Sequence, residues 1–304
     1  MPNTNWPTPL VLGGHSFIPE LGNDPATGFD EQLAIVNSCL DEGICAFDTT
    51  YGPERIALGR ILEQLGRRNE AQIIAWNFFT DVPSGKYLLG PRPYAEQDIE
   101  KILDDLRTDR VDLLVVHPVR GEEQNKRQVQ TANAWVRSGY VGALGPWVPR
   151  AESSKRIDAE DRYEFMVGRR NVQNPRSSVF RASKKRGWQT FATSPFDRGQ
   201  LLDLLIDTAV EFCDDARETL RTRVADAMLR FSLHCPDVDH VIIGIRNRQW
   251  ISSNLESVSK GPLSPEETRW LMGLQARAEA TRERQQNAPA SVDKTHSTKY
   301  THQV

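Results

Sequence analysis

Phe47-Asp48-Thr49-Thr50-Tyr51-Gly52-Pro53-Glu54, followed by Leu58-Gly59, is the stretch around which the chain is arranged. The apolar run Gly43-Ile44-Cys45-Ala46-Phe47 leads into it and reads as a short buried strand, with Asp48 at its C-terminal end. Pro53 and Glu54 open the next helical pattern. Proline suits a first turn whose amides have no intrahelical partner, and a carboxylate there meets those free amides. A carboxylate and a phenol are thus presented together at the mouth of a strand-to-helix loop. The arrangement suits acid/base chemistry, and it equally suits a helix cap beside a packed tyrosine.

Outward from this loop, apolar runs and helical patterns alternate. Pro9 to Gly14 is a first strand closed by glycines, with His15 just beyond it. Phe29 to Leu40 places Leu33, Ile35, Val36, Cys39 and Leu40 at helical spacing and stops at Gly43. A helix from about Pro53 to Leu65 precedes a third strand, Gln72 to Trp76. The loop from Phe78 to Tyr94 is long for a strand-to-helix connection, and such loops are usually functional. Glu96 to Leu106 is helical, Val111 to His117 is a fourth strand, and a helix then runs to Val136. Further strands fall at Gly142 to Gly145, Tyr163 to Val167, Trp188 to Thr193 and Val238 to Gly244. The clearest late helices are Arg217 to His234 and Pro265 to Arg282.

Continuously apolar strands imply a parallel sheet buried on both faces. Eight strand–helix units close most simply into an α/β (β/α)8 TIM-type barrel, a single domain over residues 1–285. The alternative is an open doubly wound sheet, but no GxGxxG follows the first strand. Residues 286–304 are polar and aperiodic and are expected to be disordered, with no role for His296 or His302.

The composition is that of an ordinary globular protein: 304 residues, 38% hydrophobic, 26% charged, net charge -3. No overall field favours nucleic acid or an anionic membrane, so neither is expected as a partner. Cys39, Cys45, Cys213 and Cys235 lack any CxxC spacing and read as reduced thiols rather than disulfides or metal ligands. The N-terminus has no signal-peptide pattern, and no apolar run is long enough to span a bilayer. A soluble, cytoplasmic protein acting on a small molecule is the expectation.

From about Leu10 to Leu274 the chain resembles the aldo-keto reductase superfamily. Phe47-Asp48-Thr49 with Tyr51-Gly52 and Leu58-Gly59 resembles that family's second-strand signature. Asp112 to His117 resembles the strand ending in its active-site histidine, and Thr193-Ser194-Pro195 through Leu201 the segment after strand seven. Val241 to Arg246 with Asn254 resembles the end that grips the adenosine phosphate. The resemblance implies NADP(H) lying across the C-terminal face of the barrel. It also implies a tyrosine that protonates a carbonyl while hydride arrives, tuned by a lysine and an aspartate. It assigns Asp48, Tyr51 and His117 as catalytic, and Thr193, Ser194, Gly244, Arg246 and Asn254 as cofactor-binding. Arg246 would hold a 2'-phosphate, since a guanidinium makes bidentate, charge-assisted contacts.

The pattern also breaks. Where the family ends its third strand in lysine the chain reads Ala75-Trp76-Asn77, and Lys86 in the long loop is the nearest substitute. A phenol with an ordinary pKa near 10 is a poor acid at neutral pH without a neighbouring cation. Asp48 and Tyr51 are closer in sequence than usual, Gly145-Pro146-Trp147 replaces the carboxamide clamp, and Thr193 replaces a stacking aromatic. Asn171 and Gln173 offer themselves as amide ligands. His15, Trp76, Asn77 and Trp147 are the expected substrate-pocket residues; Trp188, His234 and His240 are expected to be structural. The favoured reading is an NADP(H)-linked carbonyl or alcohol oxidoreductase with a rebuilt proton-donor site. The alternative is a cofactor-independent dehydratase, isomerase or cyclase on the same fold, and after it a non-catalytic ligand-binding protein.

Overall fold

The strands and helices alternate along the chain as β1 (Leu10–Gly13), α1 (Phe29–Asp41), β2 (Ala46–Thr49), α2 (Gly52–Leu65), β3 (Gln72–Trp76), α3 (Asp98–Leu106) and β4 (Val111–Val116). They continue as α4 (Glu122–Arg137), β5 (Val141–Pro146), β6 (Phe165–Arg169), α5 (Ser178–Lys184), β7 (Gln189–Thr193), α6 (Gln200–Val210) and α7 (Arg217–Leu233). The last elements are β8 (His240–Ile243), α8 (Gln249–Ser259) and α9 (Pro265–Asn287). This computed structural model describes residues 6–18, 27–79, 90–148 and 162–287. The candidate cation Lys86, the 286–304 tail beyond Asn287, and its two histidines lie outside them.

All strand pairs are parallel, and neighbours follow the order β5-β4-β3-β2-β1-β8-β7-β6. An open sheet would leave β5 and β6 as edges. Here Val148 N donates to Val167 O (2.8 Å) and Glu164 N to Leu144 O (2.9 Å), and Trp147 bridges Val167. The circle therefore closes into the expected (β/α)8 barrel. Gly145 makes the seam possible: a Cβ there would stand 2.5 Å from the Phe165 ring and carbonyl oxygen.

Side chains alternate along a strand, and this parity places the site. Ala46 and Ile74 fill the barrel interior with Val115 and Phe165, while Phe47, Ile73 and Ala75 pack outward against the helices. Asp48 and Trp76 share the inward parity of Ala46 and Ile74. Cys39 and Cys235 are buried free thiols, and burial pushes Cys39 up to about 12, in keeping with inert packing groups. At the barrel floor His240 stacks on Phe191 (4.8 Å between centroids) beneath Trp6 (4.5 Å), a structural role as expected.

The element limits shift modestly from the sequence reading. β6 starts at Phe165 rather than Tyr163, because Glu164 is spent on the seam with β5. β8 contracts to His240–Ile243, and α9 runs on to Asn287, past the expected domain limit. Leu58-Gly59 serves helix packing: a Cβ on Gly59 would lie 2.6 Å from Asp105 O, where α2 crosses the end of α3. Gly59→Ala is expected to cost about 2 kcal/mol in chemical denaturation, because the obstacle is backbone and overpacking there displaces a helix. A variant as stable as the parent would show that the crossing can yield.

Candidate active site

The C-terminal ends of β2 and β3 bring Asp48 and Trp76 into direct contact. Trp76 Nε1 donates to Asp48 Oδ1 at 2.6 Å, and Thr50 Oγ1 donates to Oδ2 at 3.4 Å. Asp48 is only 4% exposed. Burial pushes its carboxyl up to about 7, against the Trp76 hydrogen bond, with Glu54 adding to the rise and His15 opposing it. An indole N–H thus occupies the carboxylate that a lysine ammonium would be expected to hold.

Asn77, expected in the substrate pocket, is elsewhere. It has the outward parity on β3, and its amide is consumed in fixing the loop that carries His117. Asn77 Oδ1 accepts from His117 N (2.8 Å), and Nδ2 donates to His117 O and Arg92 O (both 3.0 Å) and to Gln128 Oε1 (3.2 Å). Asn171 is similarly committed. Its Oδ1 accepts from the Gln173 and Asn174 amides, and its Nδ2 donates to Ser194 O at 2.9 Å. It braces the loop after β7 and is not an open amide ligand.

An aromatic wall lines the mouth. Phe78, which the sequence reading did not single out, stands between Tyr51 (5.2 Å between centroids) and His117 (5.3 Å). Trp147 stacks on His117 at 6.2 Å and tilts against Trp76 at 5.6 Å. His117 Nδ1 lies 2.9 Å from Pro118 O. A carbonyl only accepts, so Nδ1 carries the hydrogen and the neutral ring presents a lone pair at Nε2. Burial lowers the His117 pKa and keeps that neutral form.

On the other side, the 310 turn Gly14–Phe17 after β1 delivers His15 to Glu54. His15 Nδ1 is 2.8 Å from Glu54 Oε1, and the Glu54 side chain has no exposure. Glu54 Oε2 accepts from Thr50 N (2.7 Å) and Tyr51 N (3.4 Å), so the helix-opening carboxylate caps α2 with one oxygen and holds His15 with the other. A Cβ on Gly14 would stand 3.1 Å from Glu54 Cβ and Oε2, and glycine there lets the two elements meet. Burial opposes charge on His15, but Glu54, with Asp48, outweighs it and raises the pKa above 6.5. The His15 and Tyr51 rings lie 5.7 Å apart. Burial raises the Tyr51 pKa, with Arg198 pulling it down and Glu54 adding to the rise.

At the rim beyond β7, Ser194 (φ 61°), Asp197 (φ 46°) and Arg198 (φ 58°) are non-glycine residues in left-handed backbone, and Gly199 (φ 91°) completes the turn into α6. Such local strain tends to gather at functional sites. Arg246, after β8, reaches this turn: its Nη2 is 4.0 Å from where a Gly199 Cβ would sit. Thr193 and Ser194 frame the turn, and exposed Gly244 precedes Arg246. Asn254 lies on α8, half-buried. Among the described residues neither Arg198 nor Arg246 has an acidic side chain paired to it. No group of His, Cys, Asp and Glu there could hold a metal ion, and no helix is long and apolar enough to cross a membrane.

A (β/α)8 barrel with its polar residues gathered at the strands' C-terminal ends is an enzyme-type scaffold. Residues 9–274 match the aldo/keto reductase family, and the chain belongs to it. Its fold is similar to that of aldo-keto reductase AKR11C1 from Bacillus halodurans, in its holo form, with a TM-score of 0.66 and 17% identity over 88% of this chain and 91% of that one. A Pseudomonas aeruginosa protein assigned to the aldo-keto reductases is similar at a TM-score of 0.61 and 17% identity, over 83% and 90% of the two chains. No curated protein matches the chain.

Proposed function

We propose that this chain is an NADP(H)-linked oxidoreductase of carbonyl or alcohol groups, working with a rebuilt proton-donor site. The observation that carries the cofactor is the pair of arginines at the strained turn after β7. Arg198 and Arg246 lack acidic partners among the described residues, and Arg246 folds over Gly199. Two guanidinium groups without carboxylates at a glycine-bearing turn fit the phosphates of a dinucleotide. The family of the chain supports a nicotinamide cofactor, and the holo form of the Bacillus halodurans protein supports a bound cofactor without specifying which. The bound cofactor would supply hydride, and Arg246, Asn254 and the Thr193–Ser194 backbone would hold it.

On the substrate side, Trp76, Phe78 and Trp147 form a wall that favours an apolar or aromatic carbonyl compound. His117, with its lone pair at Nε2, orients a hydroxyl. Asp48 is held by Trp76 rather than by a cation. We place the activity in the cytoplasm, on a small molecule. A second reading, acid/base chemistry without hydride, has one observation in its favour. Asp48 at about 7 and the His15–Glu54 pair are proton-exchanging groups whether or not a cofactor binds.

NADPH is expected to quench the protein's tryptophan fluorescence with micromolar affinity, and NADH to bind at least tenfold more weakly. Arg246→Ala should weaken NADPH by roughly 10- to 100-fold, the equivalent of about 1.5–3 kcal/mol for a charged hydrogen-bond set, and leave NADH nearly unchanged. No binding at millimolar cofactor would overturn the oxidoreductase reading and leave the hydride-free one.

A further inference from the structure

We propose that Asn77 is a positioning residue of this site: with Gln128 and Asn125 it clamps the loop that carries His117, and so sets where, and in which tautomer, the imidazole meets substrate. That His117 meets substrate rests on the function proposed above; the clamp rests on hydrogen bonds alone. β4 ends at Val116 and α4 begins at Glu122, and residues 117–121 between them belong to neither. Their backbone groups go to amide side chains instead. Asn77 Oδ1 accepts from His117 N (2.8 Å) and Nδ2 donates to His117 O (3.0 Å), so one side chain holds both polar groups of the histidine backbone, as a neighbouring strand would. Gln128 Nε2 is a second donor to His117 O (3.2 Å).

Two residues on, Asn125 does the same for Val119: Oδ1 accepts from Val119 N (3.0 Å) and Nδ2 donates to Val119 O (2.7 Å). Gln128 Nε2 also donates to Asn125 Oδ1 (2.9 Å), which joins the two clamps. Asn77 and Gln128 have no exposed surface, so water does not stand in for either. Pro118 lies between the clamped residues, and its carbonyl is the acceptor 2.9 Å from His117 Nδ1. The partner of one ring nitrogen decides which nitrogen carries the hydrogen. The clamp thereby reaches the chemistry, since it holds the carbonyl that leaves the lone pair at Nε2.

The same amide also anchors the substrate wall. Asn77 Nδ2 donates to Arg92 O (3.0 Å), and Arg92 N donates to Asn77 O (3.2 Å), beside the bridge between Phe78 and Pro91. Phe78, whose ring stands 5.3 Å from that of His117, leaves from this neck. The histidine and the aromatic wall therefore share one anchor. A misplacement of about 1 Å, caused away from the reacting atoms, can cost about a hundredfold in rate.

The first readout needs no cofactor. Long-range 1H–15N spectra at alkaline pH are expected to show His117 as the Nδ1–H form in the parent, and a shift toward the Nε2–H form in Asn77→Ala. Parent-like nitrogen shifts in Asn77→Ala overturn the clamp. If alanine there does not fold, Gln128→Leu decides on the same reading, because it keeps the volume and removes the second donor to His117 O. The second readout separates positioning from bracing. With NADPH and a carbonyl substrate, Asn77→Ala should lower kcat/KM by about 10- to 100-fold while NADPH affinity stays that of the parent. In a His117→Ala background the same substitution should cost nothing further, because a residue that acts through His117 then has nothing to place. Losses that multiply would overturn the proposal and make Asn77 a brace of the barrel alone. A parent that binds no NADPH would remove the oxidoreductase reading alone, because the tautomer in the free protein decides the clamp.

Discussion

Arg55→Met is expected to lower the stability of this protein by about 3–5 kcal/mol, the cost of removing one partner from a buried charge network. Arg55 has no exposed surface. Its Nη1 donates to Trp76 O (3.4 Å) and Thr50 O (3.5 Å), its Nη2 to Phe78 O (3.1 Å), and its Nε pairs with Asp105 Oδ2 (3.3 Å). One guanidinium therefore ties the loop after β2 to the loop after β3 and to the end of α3. Methionine fills most of the volume, so the loss is chiefly the orphaning of three carbonyls, each costing a polar group's desolvation. Asp105 keeps Lys101 at 2.9 Å and does not become an isolated charge, which places the effect toward the lower end of the range. Guanidinium denaturation should show the midpoint moving with little change in slope. Because those carbonyls flank Asp48, Trp76 and Phe78, substrate turnover should suffer beyond the stability loss. A change below about 1 kcal/mol would mean that water replaces the guanidinium and that the loops hold themselves.

Much of this architecture is legible in the sequence because each strand is buried on both faces. Ile73-Ile74-Ala75 and Leu113-Leu114-Val115-Val116 must be apolar throughout, and repetition with helices between leaves few folds. The strand-to-helix loop at Asp48 is equally plain, since proline and glutamate mark where α2 begins. The roles of individual side chains in it are not. Glu54 reads as a helix-opening carboxylate, and it is one, but its second oxygen holds a histidine from the end of another strand. Only closure of the barrel joins them.

Asn77 fails for a different reason: its neighbour Trp76 points into the barrel, so strand parity sends Asn77 outward, toward Gln128 of α4. That signal was present in the sequence, in the inward register of Ile74. Phe78 and Arg198 carry no periodic signal, because one begins an irregular loop and the other sits in left-handed backbone. Leu58-Gly59 shows the reverse hazard: a motif that accompanies the site is there because two helices cross at the glycine.

Asp48→Asn is expected to make the protein more stable above neutral pH, by on the order of 3–4 kcal/mol, while leaving it little changed near pH 4. Burial moves the Asp48 carboxyl from its usual 3.8 to about 7 in the folded chain. Between those values the folded state binds a proton that the unfolded state has released, so stability falls as pH rises through this window and is flat above it. Each pH unit of the window corresponds to about 1.4 kcal/mol. Asparagine removes the charge yet keeps the contacts, since its Oδ1 can accept from Trp76 Nε1 and its amide can donate to Thr50 Oγ1. The stability difference between parent and variant, measured from pH 4 to pH 8, isolates Asp48 from every other titrating group. A difference that does not grow with pH would place the Asp48 pKa near its ordinary value and make Trp76 an adequate substitute for a cation. A growing difference would show a carboxyl held at the barrel mouth against the stability of the fold. Such a group is kept for chemistry, and Asp48→Asn should then lose turnover as it gains stability.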